Sequence, residues 1–297
     1  MTARFLERLG ARSAAVGSVL CLGIDPDPTA LPDGFSPDLA GVERFATLLI
    51  EAAAPYAAAV KPNLAFFEAF GSAGLAALER IRATIPAEVL VVADAKRGDI
   101  GSTAARQAVA LFDGLGADAV TVNPYLGSEA VTPLIERLDR FAYLLCRTSN
   151  PGAGELQDLD VASAPIAGAP AEPLYARVAR LAVGWGPGGT VGLVVGATAP
   201  AELAAIRRIA PGLGFLVPGV GAQGGEVAPV LESGPATAAP AGGRPGGGLL
   251  VNVSRGIASA AGTAGAAATA GSTLPGDVGE RLAAAALDWS RRLPVLP

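Results

Sequence analysis

Histidine is absent from this chain. That excludes a Ser-His-Asp or Cys-His nucleophilic site and any His-ligated zinc site. Acid–base work must therefore fall to lysine, carboxylates or tyrosine. Cysteine is scarce: Cys21 and Cys146 each lie inside an apolar run and read as small buried hydrophobes. A disulfide framework is not expected, and a reducing compartment is the default. Basic runs are missing and the net charge is −5, which argues against a nucleic-acid surface. No apolar run approaches the length of a membrane span, and Met1–Arg8 has no apolar leader core, so a cytoplasmic protein without membrane contact is expected. Aromatic residues make up only 5% of the chain, alongside abundant alanine and glycine, a bias that points to genome composition more than to a special fold.

What is present is a 51% hydrophobic chain of 297 residues, enough to bury one large α/β domain or two smaller ones. Strand-like apolar runs occur at 18–25, 57–61, 89–94, 119–123, 141–147, 191–196, 214–218 and 249–253. Helical patterns follow them, at 39–54, 65–84, 103–115, 129–138, 175–185, 200–209, 224–231 and 277–293. Eight strand–helix units predict a single (β/α)8 barrel over residues 1–297, with an open doubly wound sheet as the alternative. Stretches near 233–248 and 258–272, rich in Gly, Ala and either Pro or Thr, read as flexible loops, although 258–268 could instead be an Ala-rich helix. Residues 155–173 read as one long loop after the fifth strand, either a lid or an inert insertion.

In a barrel, function sits at the C-terminal strand ends. Asp25, Lys61, Asp94, Lys96, Asn123, Thr148 and Ser149 each end or just follow a strand. The densest group is Asp94-Ala95-Lys96-Arg97-Gly98-Asp99, four charges within six positions. On a regular strand Asp94 and Lys96 would share one side. An isolated D-x-K reads more simply as a structural ion pair. A second lysine, Lys61, ending another buried run tips the balance toward chemistry. After the seventh strand comes Pro218-Gly219-Val220-Gly221-Ala222-Gln223-Gly224-Gly225, and after the eighth comes Ser254-Arg255-Gly256. Glycines let backbone N–H groups approach an anion, and Arg255 adds a permanently charged fork. The mouth of the barrel is thus expected to hold a phosphorylated small molecule, with a Lys/Asp cluster opposite its phosphate and no metal cluster beside it.

Asp94 to Thr103 resembles the D-x-K-x-x-D-I signature of the orotidine 5′-phosphate decarboxylase family, and its Arg97-Gly98 resembles the bacterial type 2 subgroup. Lys61-Pro62-Asn63 with Phe66-Phe67-Glu68, Thr148 to Gly152, Pro218 to Gly225 and Asn252 to Ile257 fit the same family in order. The resemblance implies a dimer of barrels, without metal or organic cofactor, that converts orotidine 5′-phosphate to UMP in pyrimidine biosynthesis. It implies that Lys61, Asp94, Lys96 and Asp99 form an alternating catalytic array, with Lys96 protonating C6 of the pyrimidine. Asp25 would hold the ribose, Ser149 the pyrimidine, and Gln223 and Arg255 the phosphate, within the loop containing Pro218 and Gly224. Asp99, Ile100 and Thr103 would reach into the partner's site. Loss of CO2 from C6 leaves a poorly delocalised carbanion, which an ammonium can both stabilise and protonate. A related phosphosugar keto-acid decarboxylase or aldolase barrel, and a non-catalytic nucleotide-binding barrel, are the alternatives.

Overall fold

The computed structural model describes residues 4–162, 171–262 and 277–296. Its frame is a closed barrel of eight parallel strands: β1 (Leu20–Ile24), β2 (Ala59–Pro62), β3 (Leu90–Arg97), β4 (Ala119–Val122), β5 (Phe141–Arg147), β6 (Val191–Val195), β7 (Gly214–Val217) and β8 (Leu250–Val253). Closure is direct, with Leu20 of β1 opposite Val251 of β8, so the open-sheet alternative falls away. The strands are short, apolar and buried on both faces, as parallel strands wrapped by helices must be. Each backbone edge is paired, and the helices cover the outer face.

Two apolar cores result. One lies between strands and helices, including Val60, Phe67, Val91, Leu144, Leu193 and Phe215. The other fills the barrel interior and is capped by a helix at Phe5–Val16, ahead of the first strand. Phe5 stacks on Phe141 with ring centroids 4.7 Å apart, and Phe141 meets Tyr143 edge-on at 4.8 Å. This plug seals the N-terminal end of the barrel, leaving the opposite end as the open mouth. Cys21 sits in this interior core, where burial pushes its thiol up to about 12.

Several expected elements differ in detail. The helix expected over 65–84 is broken into Ala65–Glu68 and Gly71–Thr84. Gly71 takes φ +63°, and a Cβ on Gly74 would stand 1.9 Å from the Phe67 carbonyl oxygen, so the second helix must turn sharply to pack there. The helix expected at 103–115 starts at Gly101 and relaxes into a π-turn from Val109 to Gly114. The helix expected at 224–231 begins only at Val227, because Gly221 and Gly224 are used for turns. Of residues 155–173, 163–170 lie outside the described residues, and the described parts are not featureless loop. They carry a short helix, Gly154–Gln157, and an antiparallel ribbon in which Asp160 pairs with Pro173. In the stretch at 233–248, Gly246, Gly247 and Gly248 of the turn Pro245–Gly248 are buried, and exposed Pro245 lies close to Gly10 of the N-terminal helix. Of the 258–272 stretch, Ser259–Ala261 forms one 3-10 turn, and the part from 263 onward lies outside the described residues.

Candidate active site

The C-terminal strand ends gather a cavity of about 440 Å³ lined by Lys61, Asp94, Lys96, Thr121, Ser149, Pro218 and Gln223, among others. Lys61 and Lys96 are the only two lysines of the chain, and both grip the same carboxylate. Lys61 Nζ donates to Asp94 Oδ2 at 2.7 Å, and Lys96 Nζ donates to Asp94 Oδ1 at 2.5 Å. Their exposures differ: the Lys61 side chain is 5% exposed and that of Lys96 51%. Burial works against the Lys61 ammonium, but Asp94 and then Asp25 outweigh it, so its pKa lies above the ordinary lysine value. Burial would likewise raise Asp94, yet Lys61 and Lys96 together hold it well below the usual carboxylate range. At neutral pH Lys61 therefore stands as an ammonium and Asp94 as a carboxylate, titrating as a coupled pair.

Simple strand alternation does not bring Asp94 and Lys96 together. The register of β3 on β4 slips between Ala93 and Arg97, and Lys96 has φ +47°, the one left-handed non-glycine among the described residues. Thr121 on β4 fills the gap: its hydroxyl accepts from the Ala95 and Lys96 N–H groups at 3.0 Å each and donates to Asp94 Oδ1 at 2.9 Å. Beyond the bulge, Arg97 is ion-paired to Glu68, tying this loop to the helix at Ala65–Glu68.

Opposite the lysines stand the loops after β5 and β7, with the β8 loop beyond them. Ser149 Oγ donates to Gln223 Oε1 at 2.7 Å, linking the first two. Gly219 has φ +98°, and a Cβ there would lie 3.0 Å from both Ser149 and Gln223, so glycine keeps these side chains in place. Gly224, also left-handed, and Arg255, exposed at the start of the helix Arg255–Ala258, stand outside the lining of the cavity. Asp25 lies beside Lys61 electrostatically, with its Oδ1 buried and without a hydrogen-bond partner among the described residues. Asp99, Ile100 and Thr103 are not in the cavity. Asp99 makes no ion pair among the described residues and accepts only the Ile100 N–H at 2.8 Å, while Ile100 is 58% exposed. Thr103 instead faces an outer groove with Glu68 and Arg97. Among the described residues, no group of three or more His, Cys, Asp or Glu is placed to hold a metal ion.

Two lining residues escaped the sequence reading. Thr121 looks there like an ordinary β-branched strand residue. Gln157 sits on the unforeseen short helix and exchanges hydrogen bonds with Thr148, whose N–H it accepts at 2.8 Å.

Residues 18–270 match the model of the family described as orotidine 5′-phosphate decarboxylase / HUMPS. The chain belongs to that family. A relative from Thermomicrobium roseum named orotidine 5′-phosphate decarboxylase is 48% identical over 255 residues, covering 85% of this chain and 86% of that protein. One of the same name from Roseiflexus castenholzii is 47% identical over 252 residues, covering 84% and 87%. Among solved structures, the Leishmania donovani OMP decarboxylase superposes with a TM-score of 0.76 at 37% identity, covering 97% of each chain. The family match spans β1 to β8, so it takes in every strand end that lines the cavity.

Proposed function

We propose that this protein is a carboxy-lyase that decarboxylates orotidine 5′-phosphate to UMP in pyrimidine biosynthesis. The observation that carries the proposal is the two-lysine grip on Asp94, facing a glycine-rich loop across one cavity. The family name joins two groups, and the relatives that cover most of the chain bear the decarboxylase name.

In this reading the phosphate binds at Gln223, the Pro218–Gly224 loop and Arg255. The ribose meets Asp25, and the pyrimidine lies against Ser149 with C6 toward Lys96. Asp94, kept ionised by its two ammonium partners, faces the substrate carboxylate and disfavours it until CO2 leaves. The Lys96 ammonium then stabilises the developing carbanion and delivers its proton to C6. Fixed charges in a site that excludes water supply most of the effect, because they need no reorganisation as the reaction proceeds. Binding energy from the remote phosphate closes and orders the site. The chemistry needs neither metal nor organic cofactor.

The working form is a homodimer with shared sites. Asp99 is unpaired within its own protomer among the described residues, and Ile100 is exposed beside it. The neighbouring β4 loop exposes Tyr125 at 76% and Leu126 at 50%, an apolar margin suited to a second copy. From there Asp99, Ile100 and Thr103 complete the neighbouring cavity. A cytoplasmic setting belongs to the same reading and rests on the two buried, unpaired cysteines.

The test is incubation of purified protein with orotidine 5′-phosphate and excess EDTA, following the pyrimidine absorbance. Conversion to UMP is expected. No conversion by folded, dimeric protein would overturn the proposal, and activity on phosphosugars with added magnesium would replace it.

A further inference from the structure

We propose that Thr121 is a positioning residue for this reaction, whose hydroxyl builds the backbone bulge that presents Lys96 and fixes the carboxylate Lys96 grips. The proposal rests on the reading of Lys96 as the group that serves C6.

On β3, Ala93 faces Val120 and Arg97 faces Val122, so the three residues 94–96 stand opposite Thr121 alone. Such a bulge strips ladder partners from the extra residues. The Ala95 and Lys96 N–H groups both turn to the Thr121 hydroxyl, at 3.0 Å each. A hydroxyl has one proton and two acceptor positions. Because both amides are donors, the acceptor positions are filled and the proton has one remaining direction, Asp94 Oδ1 at 2.9 Å. That is the same oxygen that receives Lys96 Nζ.

The hydroxyl therefore makes three bonds with three consecutive residues, and it is only 2% exposed as part of Thr121, so no water can take its place without a cavity. Lys96 holds its left-handed conformation, which non-glycine residues keep only when their surroundings over-determine it. Thr121 supplies that constraint. Without it the Lys96 backbone is free to leave the left-handed region, which shifts the ammonium from its place on Asp94 Oδ1. The effect falls on the reaction step rather than on phosphate binding, since the phosphate loop lies on β7 and β8.

Three variants test this. Thr121→Val keeps the branched shape and removes the hydroxyl, Thr121→Ser keeps the hydroxyl, and Thr121→Ala stands in if the valine protein does not fold. The expected result is a fall in kcat of about 10²-fold for Thr121→Val, the scale of an ångström-sized misplacement, with KM nearly unchanged. Thr121→Ser should remain within about threefold of wild type in both constants. A second readout needs no turnover. The chain has only two lysines, so protein grown with 13Cε-lysine gives one NMR signal for each. Thr121→Val should move the Lys96 signal and leave that of Lys61 in place. The proposal is overturned by near-wild-type kcat in the folded valine or alanine variant, by a serine variant as impaired as valine, by a change confined to KM, or by an unmoved Lys96 signal. Wild-type protein inactive on orotidine 5′-phosphate would instead sink the functional reading, while the NMR comparison would still decide the positioning role.

Discussion

Asp94→Asn separates the structural weight of the buried half of the cluster from that of its exposed half. The substitution preserves shape but removes the counter-charge 2.7 Å from Lys61 Nζ, on a side chain only 5% exposed. Asp25 remains as a field on Lys61, with no hydrogen bond between them among the described residues. A buried ion left without its partner typically costs about 3–5 kcal/mol. At roughly 2–4 °C per kcal/mol for a domain approaching this size, the melting temperature should fall by about 6–20 °C. Lys96→Ala is the internal comparison. That ammonium is 51% exposed, and Asp94 keeps Lys61 and Thr121 after its loss. Solvent screening limits such a pair to about 1 kcal/mol, or at most about 4 °C. Calorimetry of the wild type and both variants, at one protomer concentration and without nucleotide, reads the difference directly. Equal melting temperatures for the two variants, or an Asp94→Asn protein as stable as wild type, would refute this assignment of buried and exposed roles.

The same cluster sets the dependence of stability on pH. The Asp94 pKa is depressed on folding, so its contribution is fully present above the unfolded value of about 3.9 and is lost as pH falls toward the lower folded value. Lys61 is shifted upward, so its contribution is present below about 10.4 and is lost as pH rises through the higher folded value. The melting-temperature gap between wild type and Asp94→Asn should thus be flat near neutrality and narrow below about pH 4, and a gap unchanged at pH 3 would count against the ion pair. Shared sites predict that mixing Asp99→Ala and Lys61→Ala subunits restores activity, because one site of each hybrid carries both defects and the other carries neither. Verified heterodimers without recovery would rule against sharing.

Much of this architecture was legible because parallel barrel strands announce themselves. Runs such as Val89–Ala93 and Val191–Val195 are apolar on both faces, and the polar residues that end them, Lys61 and Asp94 above all, mark the open mouth. The turns after β7 were legible through the glycines they require, with Gly219, Gly221 and Gly224 all left-handed. What stayed hidden depends on contacts between distant segments. The bulge at 94–96 is made by a threonine on the next strand, and within Ala-Val-Thr-Val a buried hydroxyl looks like any strand former. The ribbon at 160–162 and 171–173 is short and largely exposed, so it leaves no apolar period to read. The break after Glu68 follows from a close helix approach at Gly74 that spacing alone does not encode.

In the proposed mechanism Lys96 delivers the proton to C6 while other residues hold the nucleotide. Its most direct test is Lys96→Ala, assayed for turnover of orotidine 5′-phosphate and, on the same preparation, for UMP binding. Loss of a general acid that also stabilises the carbanion predicts a fall in kcat of at least about 10⁴-fold with UMP affinity largely retained. Near-native turnover by that variant would remove Lys96 as the proton donor.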